Sequence, residues 1–353
     1  MDHLSELDPV ATLRRIAILL EQAGEPGYRG RAFRRAAEAL DQVPEEERRE
    51  RALAGTLVEL PGVGPVTAGI VAEVLAGIVP AYLTRLEESA REAGTTEAGQ
   101  LFAALRGVCH VHSDWSDGTA TIREMAMAAI DLRHEYIVLT DHSPTLRIAR
   151  GLSPDRLREQ IATVEALNLE LAPFRILTGI ECDILADGSL DEEDELLSRL
   201  DIVVGSLHSL LRMERAAMTE RTLIAIANPY LDILGNCTGR MKTRRRDRPE
   251  SEFDSARIFE ACARYGKAVE VHSLNERRGP PQRLMQEALA AGCHFAIDSD
   301  AHAPGALGGK IRGCERTSTA GITADRVVNT LPSDRLIEWA RSHESAAPQR
   351  RSA

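Results

Sequence analysis

From Gly107 onward the chain is punctuated by seven short apolar runs, at 108–112, 136–140, 175–181, 201–206, 231–235, 268–272 and 294–298. Stretches with helical spacing separate them. Such alternation predicts βα units around a parallel sheet, and seven strands predict a barrel. How the runs end constrains the chain further. They close on His110-Val111-His112, Thr140-Asp141-His142, Gly179-Ile180-Glu181, Ser206-Leu207-His208, Glu270-Val271-His272 and Asp298-Ser299-Asp300-Ala301-His302. A lone histidine at a strand end is ordinarily a hydrogen-bonded residue, and a lone aspartate before a helix is ordinarily an N-cap. So many ligand-type strand ends are hard to explain that way. In a parallel barrel all C-terminal strand ends lie on one face, where the connecting loops build active sites. His110 and His112, two apart, point to one side of a strand. With a nearby carboxylate they can hold one metal ion. The pattern therefore predicts a metal cluster on one face.

Composition bounds the class. The chain has 353 residues, 43% hydrophobic and 27% charged, an ordinary globular balance with room for two domains. No apolar run approaches membrane-spanning length. The start, Met1-Asp2-His3-Leu4-Ser5-Glu6, has no basic region and no signal-peptide core, which gives a cytoplasmic location as the expectation. Six scattered cysteines with no CxxC pair read as reduced core residues. A net charge of −11 argues against broad coating of nucleic acid. Basic residues nevertheless crowd one loop: Arg240, Lys242, Arg244, Arg245, Arg246 and Arg248.

The first 90 residues read as helices. Val10, Leu13, Ile16, Leu19 and Leu20 place one over 9–23, and 32–40 reads as a second, with a turn-rich break at 24–30. Gly62-Val63-Gly64 then opens an apolar helix that runs to Leu75. Backbone N–H groups at such a turn suit a phosphate. A tight helix–helix turn with no ligand is the plainer alternative. The polar stretch 87–100 reads as a linker, and the tail from Ser342 as disordered.

These residues resemble the PHP (polymerase and histidinol phosphatase) family over roughly 104–343. The matching motifs are HVHSDWSDG at 110–118, LTDHS at 139–143, GIE at 179–181, GSLHS at 205–209, GNCTGR at 235–240 and SDAH at 299–302. The resemblance implies an α/β fold, a distorted barrel of about seven βα units around a trinuclear metal centre. It implies metal ligands at His110, His112, Asp117, His142, Glu181, His208, Asp300 and His302. The N-terminal region resembles the helix-hairpin-helix domain that opens family X DNA polymerases. The domain expectation is therefore a small all-α helix-hairpin-helix domain at 1–90, a linker at 91–103, a PHP domain at 104–343 and a disordered tail at 344–353.

The sequence departs from these families in three ways. No nucleotidyl-transferase domain fits between the two regions, so polymerase activity is not expected. Lyase chemistry of the Schiff-base type needs a lysine amine, and no lysine precedes Lys242. Where relatives place a histidine before Pro-Thr-Gly-Arg, this chain has Asn236-Cys237-Thr238-Gly239-Arg240, and one strand later His272 stands where relatives tend to have asparagine. The lost ligand would belong to the third metal, beside Glu181 and His208. His272 either replaces it from the neighbouring strand or merely hydrogen-bonds a neighbour, so His272 and Asn236 stand as further ligand candidates.

The cluster suits two or three divalent ions, with zinc, manganese and iron all compatible. Adjacent ions lower the pKa of a bridging water and neutralise phosphate oxygens during in-line attack. Arg240 is a candidate phosphate clamp and catalytic residue, with Arg277 and Arg278 as further phosphate candidates. Asp141, next to His142, is a candidate proton acceptor or ligand-orienting residue. The expected function is a metal-dependent phosphoesterase acting on nucleic-acid or nucleotide ends, in the manner of a 3′-5′ exonuclease in DNA repair. Gly62, Val63 and Gly64 would contact DNA. The alternative is a small-molecule phosphatase of the histidinol-phosphatase type. The partner is accordingly DNA or a phosphorylated small molecule, and no membrane.

Overall fold

The computed structural model describes residues 8–25, 27–243, 247–274, 276–277 and 279–346. The chain divides into two compact units, Met1–Thr96 and Glu97–Ala353.

The first unit is helical: α1 (Pro9–Gln22), α2 (Gly27–Asp41), α3 (Glu45–Ala54), α4 (Pro65–Leu75) and α5 (Ala81–Gly94). Pro9 sits at the first helical position of α1, and the Asp8 carboxylate accepts from the Ala11 amide at 2.6 Å. Both are start signals with a physical basis. Leu13, Ile16 and Leu20 of α1 pack with Phe33, Ala37 and Leu40 of α2, with Val63 just before α4, and with Ile70 and Val71 within it. The second helix starts earlier than the glycine pattern suggests. Gly30 lies inside it because the Glu21 side chain packs there, leaving no room for a Cβ. Gly62 has φ 94°, and a Cβ there would approach Arg35 Cγ to 2.7 Å, so this turn requires glycine.

The expected linker is helix. Residues 91–103 fall in the end of α5 and in α6 (Glu97–Ala104). The arginine, glutamates and glutamine that make this stretch look polar are, like its alanines, good helix formers. The start of the expected tail is likewise helix. The last helix, α14 (Ser333–Ala346), runs through Ser342, and buried His343 bonds Asp232 Oδ1 at 2.7 Å. Residues 347–353 lie outside the described residues.

The second unit is a parallel sheet of seven strands in sequential order: β1 (Gly107–Val111), β2 (Tyr136–Leu139), β3 (Arg175–Asp183), β4 (Ile202–Ser206), β5 (Ile233–Gly235), β6 (Ala268–His272) and β7 (His294–Asp298). Helices α7 (Ile122–Asp131), α8 (Pro154–Leu171), α10 (Arg215–Ile226), α11 (Ser255–Arg264), α12 (Gln282–Ala291) and α13 (Ile311–Thr319) belong to the connections, with a one-turn α9 (Asp194–Leu197) before β4. One apolar cluster draws on every strand: Cys109, Val138, Leu177, Val204, Ile233, Ala268 and Ala296, joined by Leu336 and Ile337 of α14. It fills the barrel interior, and α14 covers its lower end. On β2, β3, β4, β6 and β7 the ligand-type residues stand an even number of positions beyond these interior residues, which puts them on the same inner face. β1 differs. Its register against β2 shifts between Val108 and Val111, so Cys109 and His110 can both be turned inward.

The barrel is nearly closed. β1 and β7 meet through one bridge, Val111 with Ala301, and through the Cys109 amide donating to Asp298 Oδ1 at 2.7 Å. At the lower end of this seam the Asn329 side chain does the work of a missing ladder. Its Oδ1 accepts from the Ile297 amide at 3.1 Å, and its Nδ2 donates to Ile297 O at 2.8 Å and Gly107 O at 3.3 Å. Among the described residues no helix is long and apolar enough to cross a membrane.

Replacing Asn329 by alanine strands the Ile297 amide and carbonyl in a fully buried position, while Gly107 O keeps Lys310 Nζ as a donor at 3.1 Å. The expected loss is about 2–6 kcal/mol, on the order of 1–3 kcal/mol for each of the two buried groups left unpaired. Urea unfolding followed by circular dichroism measures it, and an unchanged midpoint would show that the seam does not need this side chain.

Candidate metal centre

The C-terminal ends of β1, β2, β3, β4 and β7 converge on Glu181, which is almost wholly buried. Its Oε2 lies 3.2 Å from His110 Nε2, 2.9 Å from His142 Nδ1 and 3.5 Å from His112 Nε2. Its Oε1 lies 3.2 Å from His208 Nε2. Asp300 adds a second carboxylate, with Oδ1 at 3.1 Å from His112 Nε2 and 3.6 Å from His110 Nε2. At the rim, Asp117 Oδ1 stands 3.2 Å from His302 Nε2 and 3.6 Å from His142 Nε2. Three groups could each hold an ion: His112, Asp117, His142 and His302; His110, His112 and Glu181; and His142, Glu181 and His208. The fold thus brings together all eight residues expected from the motifs.

The donor set has the character of a metal site. His110 Nε2, both ring nitrogens of His112, His142 Nδ1, His208 Nε2 and Asp300 Oδ1 are buried with no hydrogen bond of good geometry. Buried polar atoms are rarely left so. Imidazole nitrogens facing carboxylate oxygens in this way are what a first-row divalent ion takes. Charge in the cluster is strongly coupled. Burial pushes Glu181 and Asp300 up, but the surrounding imidazoles outweigh it and hold both well below the usual carboxylate range. Burial takes the His112 imidazole down to about 4. For His208 burial is outweighed by Glu181 and Asp183, which raise it to about 10. His302, beside Asp117 and Asp300, rises to about 9 against its own burial. Two buried carboxylates demand nearby positive charge, from imidazolium or from metal.

An outer set of carboxylates orients the rings. Asp183 Oδ1 meets His208 Nδ1 at 2.5 Å, and Glu270 Oε1 meets His110 Nδ1 at 2.6 Å. Each leaves the ring's Nε2 aimed at Glu181, the pattern in which a partner on one nitrogen fixes the ligating role of the other. Glu270 Oε2 also accepts from the Asn236 backbone N–H at 2.9 Å. Sequence reasoning missed Asp183. Its one signal is a position two residues beyond Glu181 on the same strand, hence on the same inner face.

Asp141 is not aimed at the cluster. Its carboxylate accepts from Ser113 N at 2.8 Å, Ser113 Oγ at 2.6 Å, Ser116 Oγ at 2.5 Å and Gln160 Nε2 at 2.7 Å. Those bonds pin the loop that carries Asp117, so Asp141 is a positioning residue, and the catalytic alternative does not fit the geometry.

The arginine expectations divide. Arg277 reaches the cluster, with Nη1 donating to Asn236 Oδ1 at 2.6 Å and Nη2 3.4 Å from Asp300 Oδ2. Arg240 instead has its guanidinium 3.8 Å from Glu250. Arg244, Arg245, Arg246 and Arg278 lie outside the described residues. The exchange of ligands between Asn236 and His272 does not match the structure either. The His272 ring is buried, but its Nε2 meets Asn236 Oδ1 at 2.9 Å and Glu270 Oε2 at 3.1 Å, and it joins none of the three ligand groups. The helix-hairpin turn also differs from expectation. The Val63 amide donates to Leu60 O at 3.0 Å and the Gly64 amide to Thr67 Oγ1 at 2.9 Å, so two of the three turn amides already have acceptors.

Comparison with known proteins gives two family matches: the PHP domain over residues 109–274 and the helix-hairpin-helix domain over residues 7–77. The chain is 36% identical to the DNA polymerase/3′-5′ exonuclease PolX of Bacillus subtilis over 231 residues, 64% of this chain. It spans only 39% of that relative's length. It is 30% identical to a protein of Thermoanaerobacter sp. (strain X514) named "Probable phosphatase", over 63% of this chain and 89% of the relative. A solved histidinol phosphate phosphatase from Lactococcus lactis, complexed with zinc, L-histidinol and phosphate, overlays with a TM-score of 0.40 at 16% identity, covering 69% of this chain and 93% of that one.

If the outer carboxylates orient the rings, Asp183→Asn and Glu270→Gln each weaken zinc binding by roughly 10–100-fold. Competition against a chromogenic chelator reads this directly. Wild-type affinity in both variants would mean that the rings are held by packing alone.

Proposed function

The chain belongs to the PHP family, and from that premise we propose that it is a metal-dependent phosphoesterase that cleaves phosphate esters at nucleic-acid or nucleotide ends. The observation that carries the metal reading is the set of buried imidazole nitrogens left without hydrogen bonds around Glu181 and Asp300. His110, His112, Glu181 and Asp300 would hold one ion, and Asp117, His142 and His302 another, with His208 facing Glu181 beside them. Divalent ions in this position lower the pKa of water and neutralise phosphate oxygens. The chain's own residues do the rest. Asp183 and Glu270 fix the ligand rings, Asp141 fixes the loop bearing Asp117, and Arg277, beside Asn236 and Asp300, would offer its guanidinium to a phosphate oxygen.

The helix-hairpin-helix region supports the nucleic-acid part. Because the Val63 and Gly64 amides are bonded within the turn, the proposed contact to the sugar-phosphate backbone is the turn's outer surface together with Arg35, which packs over Gly62. Such contacts position a strand without reading its sequence. Likeness to a 3′-5′ exonuclease favours chain ends in DNA repair as the substrate class. A second reading, a small-molecule phosphatase, is favoured by the phosphatase relative that this chain covers over 89% of its length. A cytoplasmic location remains part of the proposal.

Full-length protein loaded in turn with zinc, manganese and iron, then assayed on 3′-ended single-stranded DNA and on small phosphomonoesters, tests both. The expected result is DNA-end hydrolysis that disappears on chelation, returns with metal and falls to background in His112→Ala. Full activity in the chelated protein would end the metal reading. Turnover of phosphomonoesters alone would favour the second.

A further inference from the structure

The Asn236 amide can be oriented from hydrogen-bond chemistry alone. A guanidinium only donates, so the Asn236 atom 2.6 Å from Arg277 Nη1 is the carbonyl oxygen. The same oxygen meets His272 Nε2 at 2.9 Å. The amide nitrogen therefore faces Glu181 Oε1, at 3.2 Å, and donates to it. A group presenting N–H there cannot also be a ligand. The corner between Glu181 Oε1 and His208 Nε2, 3.2 Å apart, thus gains no ligand from β5.

His142 cannot make up the difference without loss elsewhere. Its Nδ1 faces Glu181 at 2.9 Å and its Nε2 faces Asp117 at 3.6 Å. A neutral imidazole has one acceptor nitrogen, so His142 completes either the Asp117–His302 group or the Glu181–His208 corner. If it serves the first, the corner keeps two protein ligands, fewer than the three of a catalytic zinc site. Beside this corner the chain places a fixed charge instead. The Arg277 side chain is 22% exposed and spans Asn236 and Asp300. With five donors in a rigid fork it can hold both and still present others to a phosphate.

Building on the phosphoesterase reading above, we propose that the centre is made for two metal ions, and that the Arg277 guanidinium supplies to a substrate phosphate, on the Asn236 side, the positive charge a third ion would supply. Asn236 and Arg277 act as one unit: the arginine holds the amide in its non-ligating orientation, and the amide holds the arginine at the cluster.

The test counts metal and needs no turnover. Full-length protein is loaded with zinc, freed of excess by gel filtration and read by plasma mass spectrometry against protein concentration. The wild type should hold two zinc ions. Asn236→Asp exchanges the donating NH2 for an anionic oxygen of the same shape, and the left-handed backbone here, φ 48°, suits either residue. It should raise the count to three. Arg277→Gln should keep two ions and weaken calorimetric binding of inorganic phosphate by about tenfold or more, the scale of losing a hydrogen bond to a charged group. Three ions in the wild type, two in Asn236→Asp, or unchanged phosphate affinity in Arg277→Gln overturns the proposal. A protein with these counts and affinities that hydrolyses no phosphate ester contradicts the phosphoesterase reading instead. A wild type that holds no zinc removes the metal reading altogether.

Discussion

The second unit depends on one buried carboxylate. Glu181 has His110, His112, His142 and His208 against its two oxygens, and Asn236 donates to it as well. A lone carboxylate at this depth would cost several kcal/mol in desolvation. It is tolerable only because positive or hydrogen-bond-donating groups reach it from four other strand ends. A parallel barrel supplies that convergence, since every strand delivers its last inward residue to the same face. The same constraint explains the outer carboxylates. A ring that must present Nε2 to Glu181 needs something to hold Nδ1, and Asp183 and Glu270 do so for His208 and His110.

Local backbone rules also bend at the site, as they do at Arg133, Arg150 and Leu210 elsewhere among the described residues. Asn236 and Asp300 both adopt φ 48°, a left-handed conformation that non-glycine residues seldom take. Asparagine and aspartate bear it better than other side chains, and each sits directly at the cluster. β1 carries a register shift where His110 must turn inward. Such strain persists where surrounding contacts over-determine the geometry, and here they do. Asp300 is fixed by contacts from His112 and Arg277, and Asn236 by Glu270, His272 and Arg277.

Much of this was legible in the residues. All seven strands fall within two positions of the apolar runs, because strands buried on both faces leave short, continuous apolar segments. Strand-end position puts His110, His112, His142, Glu181, His208, Asp300 and His302 on a common face, whereas Asp117, in the loop after β1, is expected only from the family resemblance. What resisted reading depends on partners far away in sequence. Asp141 resembles a catalytic group until Ser113, Ser116 and Gln160 are seen to consume its lone pairs. His272 resembles a substitute ligand until its nitrogen is seen to meet Asn236. Arg240 and Arg277 look alike as charges after a strand, and only the fold gives one to Glu250 and the other to Asp300. The stretch at 91–103 reads as a linker by polarity but is helical by propensity, and composition alone does not say which prevails.

The central claim is that the buried imidazoles and carboxylates at the strand ends form a metal centre. Anomalous diffraction at the zinc absorption edge, from crystals grown of zinc-loaded protein, tests it most directly. The account predicts strong anomalous peaks within bonding distance of the His110, His112, Glu181 and Asp300 side chains and of the Asp117, His142 and His302 side chains. Crystals from zinc-loaded protein with no peak among these residues, and ordered water or direct hydrogen bonds linking the rings instead, would contradict it.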